Sequence, residues 1–312
     1  LFPKVDIGAQ FTSKMMADAN DDKWKTRKEA LEQVLAIVDA NKRIKPNLGE
    51  FAPILKSRLA DSNKNLQMMA LDICGKLATA MGKPFERYVK TLVGPVTSVL
   101  TDQKATVRGS AISCLECLAS ATGLDPMVSS FATSLGSENP LLRKDLLHWF
   151  SDRLKDADEK NNLPDLQILV PSLLSCLQDR NGDVRKAAQS CLGPVVKSAG
   201  YDFVVTKCGD LKGAVKQTIM PMVEAVRPAH GTVQKTAKNS ETDASDDIDE
   251  DDTPKLPPGL KLKPPASSAQ GIPTRSIAMS HPTSTNDASS SGLIPPNGQN
   301  SLAANNAPPS FC

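Results

Sequence analysis

The chain has 312 residues, with 37 Lys and Arg against 35 Asp and Glu, a formal net charge of +2 and 4% aromatic residues. So balanced a charge excludes the dense basic stripe expected of a nucleic-acid binder. No apolar run approaches the ~20 residues that span a bilayer, and no charged-then-apolar signal segment opens the chain, so no membrane partner and a cytoplasmic location are expected.

In chain order, the first helices of successive hairpins are predicted over 8–19, 48–60, 83–100, 125–135 and 163–178, with a sixth, atypical unit near 201–228. Between them one phrase returns five times: an acidic or small polar residue, a short loop, an apolar residue and an arginine. Its clearest copies are Asp102-Gln-Lys-Ala-Thr-Val-Arg108 and Asp179-Arg-Asn-Gly-Asp-Val-Arg185; Asp21 to Arg27 is close, and the copies at Asp61 and Ser137 are degenerate. The starts at 21, 61, 102, 137 and 179 are spaced by 40, 41, 35 and 42 residues, around the period of HEAT or armadillo helix pairs. The chain reads as all-α, an α-solenoid of six helix pairs.

Offsets from each phrase start test this register. The fifth holds Thr26, Leu66, Val107, Leu142 and Val184, the ninth Ala30, Ala70, Ala111, Leu146 and Ala188, and the thirteenth Val34, Cys74, Leu115, Phe150 and Leu192. Positions i, i+4 and i+8 form the stripe that one helix face buries, so each phrase opens the second helix of its pair.

Apolar periodicity stops near residue 228. The remainder, 229–312, is rich in Ser, Thr, Asn and Pro and contains the acidic run Asp246 to Asp252. It lacks the apolar surface to offset ordering entropy, so a domain over 1–228 and a disordered linker over 229–312 are expected. The linker holds 6 basic and 9 acidic residues, which leaves 31 and 26 in the domain. That mild positive bias suits an acidic protein partner. The chain starts without Met and stops abruptly at Phe311-Cys312, as a piece of a longer polypeptide would.

Little here suggests catalysis, a metal or a cofactor. His148, beside Trp149, is the one histidine of the domain, and no Gly-rich phosphate loop, H-E-x-x-H or G-x-S-x-G occurs. Cys114 and Cys117 have metal-like spacing but no second pair follows, so they are read, with Cys74, Cys176 and Cys191, as packing residues. Function is then expected of a surface.

In such a stack the turns inside each pair emerge along one edge. Offset two holds Lys23, Asn63, Lys104, Asn139 and Asn181, and offset three Trp24, Lys64, Ala105, Pro140 and Gly182; neither column is consistently apolar, so neither is core. Trp24 is expected to project from the first loop, the residue type most enriched at binding hot spots; the alternative is an indole folded back onto the first pair. Lys25, Lys28, Lys64, Lys104, Arg180 and Lys186 add charge along the edge, suited to steering an acidic partner. The repeated Arg27, Arg108, Arg143 and Arg185 fit an Asp–Arg ladder linking consecutive repeats.

The blocks Trp24 to Leu31, Ile44 to Glu50, Arg58 to Lys64, Leu77 to Gly82 and Asp179 to Ala188 resemble the TOG domains of the Minispindles/ch-TOG microtubule-polymerase family, most closely the fourth of its array. The resemblance covers roughly 1–226. It implies a paddle of six HEAT repeats whose loop edge grips αβ-tubulin at microtubule plus ends, spindle poles and centrosomes, beside other TOG domains in one longer chain. It carries Trp24, flanked by Lys23 and Lys25, onto the first-loop tryptophan that packs on β-tubulin. Lys64 and Lys104 fall in the second and third loops, and Asn181, Arg185 and Lys186 in the fifth, which faces α-tubulin. The fourth loop departs from a basic pattern by carrying Glu138. Gln270-Gly-Ile-Pro273 and Gly292-Leu-Ile-Pro295 each fall one residue short of a Ser-x-Ile-Pro motif for end-binding proteins. The other reading is a HEAT scaffold that binds a different protein through its helical face.

Overall fold

The computed structural model describes residues 3–228, and the readings made for 229–312 lie outside them. Twelve α-helices form six pairs: α1 (Ser13–Asp18) with α2 (Trp24–Ala40), α3 (Phe51–Leu59) with α4 (Lys64–Met81), and α5 (Glu86–Ser98) with α6 (Ala105–Thr122). Then follow α7 (Val128–Leu135) with α8 (Pro140–Glu159), α9 (Val170–Cys176) with α10 (Gly182–Ala199), and α11 (Tyr201–Gly209) with α12 (Gly213–Ala225). One layer stacks α3, α5, α7 and α9, and the even-numbered helices stack on the other side.

The repeat register sets the core. All residues at offsets five, nine and thirteen are buried except Thr26, which is half-buried. Each buried Leu, Val or Phe contributes about 1.5–3 kcal/mol, more than the ~1 kcal/mol or less of an exposed ion pair, so packing rather than charge holds the hairpins together. Within the even layer α4 lies closely on α6 and α8 on α10, while α8 meets the single 3-10 turn Val99–Thr101 before it meets α6. That change coincides with the shortest repeat spacing. Across it, the Trp149 indole N–H and Arg153 both donate to the Glu116 carboxylate at 3.0 Å.

The first helices are shorter than the periodicity suggests. Lys83–Phe85, Asp125–Met127 and Gln167–Leu169 are 3-10 turns, and 163–166 is not helical. Proline explains much of this, since Pro84 and Pro126 fall in the opening turns and Pro164 has no N–H to give to a helix. The second helices α4, α6 and α10 stop at Gly82, Gly123 and Gly200, whose φ values of 67°, 83° and 90° are strained for any side chain bearing a Cβ.

Gly75 lets α4 lie close on α6: a Cβ there would lie 3.3 Å from both Cβ and Sγ of Cys117. Gly75→Val should therefore force the two helices apart and lower stability by about 1–3 kcal/mol, read as a drop in the chemical-denaturation midpoint.

At the N-terminus, Val5 forms an isolated parallel bridge with Ile44, Ile7 is fully buried and Phe11 packs on Phe51, ring centroids 5.1 Å apart. This strap closes the first end of the stack.

Candidate functional site: the loop edge

The five turns inside the pairs are copies of one another. In each, the side chain at the phrase start accepts the backbone N–H two residues on: Asp21 from Lys23 at 2.7 Å, Asp61 from Asn63 at 2.9 Å, Asp102 from Lys104 at 2.8 Å, Ser137 from Asn139 at 3.3 Å and Asp179 from Asn181 at 2.8 Å. The residue at offset two is the N-cap, with φ between −75° and −81° in every copy, and the helix starts at offset three. Asn139 and Asn181 cap with their side chains, each accepting two backbone N–H groups of its helix.

The arginine at offset six pins the same turn from behind. Arg27 Nη1 donates to the carbonyls of Asp21 and Asp22, both at 2.9 Å, Arg108 Nη1 to those of Asp102 and Gln103, and Arg185 Nη1 to those of Asp179 and Arg180. Arg143 reaches the carbonyl of Glu138 at 2.9 Å.

For Arg27, Arg108 and Arg143 the rest of the cation reaches the next repeat. Arg27 grips Asp61 with Nε at 2.9 Å and Nη2 at 3.0 Å, and Arg58 adds a third bond at 2.7 Å. Arg143 meets Asp179 at 2.6 Å. Two rungs differ from the ladder read in the sequence. Gln67 stands where the second repeat would have its arginine, and Lys64 meets Asp102 instead, at 2.9 Å. Ser137 has no carboxylate to offer Arg108, and Asp145, one helical turn further into α8, takes it at 2.6 Å. Three of the four rungs join neighbouring loops and Arg108 ties the third loop to the start of α8, so all five loops lie along one edge.

At Asp61, burial favours the neutral acid, but bonds from Arg27 and the Asn63 N–H, with the charge of Arg58, outweigh it and hold the carboxyl below its ordinary range. At Asp102 the Lys104 N–H leads, Lys64 adds to it, and the shift is again downward.

The residues singled out in the sequence fall on this edge with different freedoms. Trp24 opens α2 and is 47% exposed, one of two large apolar side chains exposed among the described residues; the Lys25 ammonium lies 6.0 Å from its ring centroid. Lys23, Lys104 and Lys186 are exposed. Asn181 spends its carbonyl oxygen on capping, and Lys64 spends its charge on Asp102. Arg185 is exposed where Arg27 is buried, because no phrase follows it. Its Nη1 still pins the turn, but no carboxylate meets it among the described residues.

Sequence reasoning picked out Glu138 and Arg180 singly but not the column they share at offset one, where Asp22, Ser62, Gln103, Glu138 and Arg180 are all exposed. It was hidden because its chemistry differs from copy to copy, whereas a repeat search rewards sameness.

Elsewhere, Cys176 and Cys191 are pushed by burial to about 11 and about 12, so neither thiol ionises near neutral pH. Among the described residues no group of three His, Cys, Asp or Glu is placed to hold a metal ion.

Fold and site together define an α-solenoid domain whose intra-pair loops line up along one edge. Mini spindles of Drosophila melanogaster is 34% identical over 231 residues, covering 73% of this chain and 11% of that protein. MOR1 of Oryza sativa subsp. japonica is 35% identical over 213 residues, covering 67% of this chain and 10% of that protein. A solved structure described as the structural basis of tubulin recruitment and assembly by microtubule polymerases with TOG domain arrays shares the fold, with a TM-score of 0.56 at 20% identity, over 73% of this chain and 49% of that one. The chain belongs to the repeat family described as Dynein axonemal assembly factor 5-like, TPR repeats, matched over residues 17–212, and is a TOG domain of the Mini spindles/MOR1 family. It spans about a tenth of the length of these curated relatives.

Proposed function

We propose that this domain is a non-enzymatic module that binds αβ-tubulin through its loop edge, within a longer protein that regulates microtubule growth in the cytoplasm, at plus ends and spindle poles. The observation that carries the reading is the exposure of Trp24 at the head of a row that continues through Lys104 to Arg185 and Lys186. A bulky apolar side chain surrounded by cations suits an acidic protein surface with an apolar recess.

Arg185 supplies the second grip. Its Nη1 is fixed on two loop carbonyls as in Arg27, while the Nε and Nη2 that Arg27 uses for Asp61 have no carboxylate here. A carboxylate of tubulin completes that fork.

The alternative, a scaffold that binds through a helical face, leaves Trp24 without a role. The sequence blocks from Trp24 to Ala188 favour the fourth position in an array of TOG domains, and the loss of apolar periodicity near residue 228 supports a domain over 1–228 ahead of a spacer.

Co-elution of the purified chain with soluble αβ-tubulin tests the reading. Binding should be clear at low ionic strength and fall markedly by about 0.15 M salt, where the screening length shrinks to roughly 8 Å. A chain that fails to bind tubulin at low salt overturns the assignment.

A further inference from the structure

The loop tips carry their own charge pattern. At offset zero every side chain is held by its turn, and at offset six Arg27, Gln67, Arg108 and Arg143 are spent on carbonyls or carboxylates, while Arg185 has only its Nη1 engaged among the described residues. The residues between them at offset one behave differently. In four of the five tips the backbone carbonyl is pinned by the arginine behind it, at Asp22, Gln103, Glu138 and Arg180. Yet none of the five tip side chains makes a hydrogen bond or ion pair with another described residue.

A fixed backbone carrying an exposed, unengaged side chain loses little freedom when a partner meets it, which favours its use in recognition. Along the edge the tips run acidic, neutral, neutral, acidic, basic. Asp22 and Glu138 thus interrupt an otherwise basic edge. Neighbouring cations do not neutralise them: Arg27 and Arg143 donate to their main-chain oxygens while pairing elsewhere, with Asp61 and Asp179.

A carboxylate brought against an acidic surface without a partner is costly, so a docked edge must meet each of these with a cation. We propose that Asp22 and Glu138 each receive a lysine or arginine side chain of the bound tubulin. The tip column then fixes which way round the partner docks, with Arg180 and Arg185 taking carboxylates at the far end. The two partner cations lie three repeats apart along the edge, further than a single packed-helix spacing of about 8–10 Å. This inference rests on the tubulin-docking reading of the edge.

The test uses the full chain and purified αβ-tubulin. Asp22→Lys and Glu138→Lys should each weaken binding about three- to tenfold by charge reversal at a close pair, with the neutral Asn and Gln variants in between. Because both side chains are unengaged, unfolding midpoints should not move. Zero-length carbodiimide coupling, which joins carboxylates to amines, should link Asp22 and Glu138 to tubulin lysines, as mapped by mass spectrometry.

If the lysine variants bind as well as or better than the parent while Trp24→Ala weakens binding, the partner presents no cations there; the tip inference is then wrong and the edge stands. If Trp24→Ala and both lysine variants all leave affinity unchanged, the edge reading itself is wrong and takes the inference with it.

Discussion

Replacing Trp24 by alanine should reduce tubulin affinity about thirtyfold, equivalent to about 2 kcal/mol, with almost no change in thermal stability. The two halves of that expectation come from different facts. Loss of affinity follows because a large indole stands out from an edge whose other free side chains are small, polar or charged, so nothing nearby can replace the apolar area it offers a partner. Retained stability follows from position: Trp24 is the first residue of α2, half in solvent, and its side chain makes no hydrogen bond. Substitutions at such sites usually stay within about 0.5 kcal/mol.

Trp149 provides the contrast. It is buried against Phe131 and Phe150 and donates to Glu116, so its loss would act on folding. Titrating fluorescently labelled tubulin with the parent and the variant, alongside matched melting curves, separates the cases. Unchanged affinity in a folded Trp24→Ala chain would remove the aromatic anchor from the mechanism.

How much of this was legible beforehand depended on whether a residue's partner lies in its own repeat or the next. The apolar columns at offsets nine and thirteen were visible because each answers to a single requirement, burial, that recurs in every hairpin. Trp24 was legible as the odd member of a polar column. Helix starts were less so, because a 3-10 turn and an α-helix share apolar spacing over three residues; only Pro84, Pro126 and Pro164 hinted at where the geometry changes.

The ladder was half legible. Its constant Asp-to-Arg spacing lies within a repeat, but the bonds that matter cross to the next. That Lys64 stands in for an arginine, and Asp145 for the carboxylate that Ser137 lacks, therefore needed coordinates. Gln67 in the arginine column was the one available signal that the second rung had to be built otherwise. Lys64 in consequence gives the edge rigidity more than free charge, and the basic character of the surface is carried by Lys23, Lys25, Lys104, Arg180, Arg185 and Lys186.

Rigidity matters to an edge that recognises by position. Five separate turns must present their tips in fixed order; each is held by an internal hydrogen bond, and the first four are also tied to the next repeat by a cation. The rung at Asp61 is the most buried, its side chain 1% exposed while it holds both Arg27 and Arg58. Asp61→Asn keeps the shape but leaves two poorly solvated guanidinium groups without a counter-charge. Breaking such a pair from one side costs about 3–5 kcal/mol. In a domain of this size that corresponds to a fall in melting temperature of roughly 6–20 °C, at about 2–4 °C per kcal/mol.

The pH dependence fixes the cause. The folded-state pKa of Asp61 is depressed, so its stabilising contribution is complete above the unfolded value of about 3.9 and is lost as pH falls through the folded value. The gap between parent and Asp61→Asn in urea midpoint should therefore be widest at neutral pH and close progressively below about pH 4, as the unfolded chain's carboxylate takes up a proton first and the folded one only at lower pH. A gap that stays constant through that range would mean that Asp61 acts through its turn hydrogen bond to Asn63 and not through its charge.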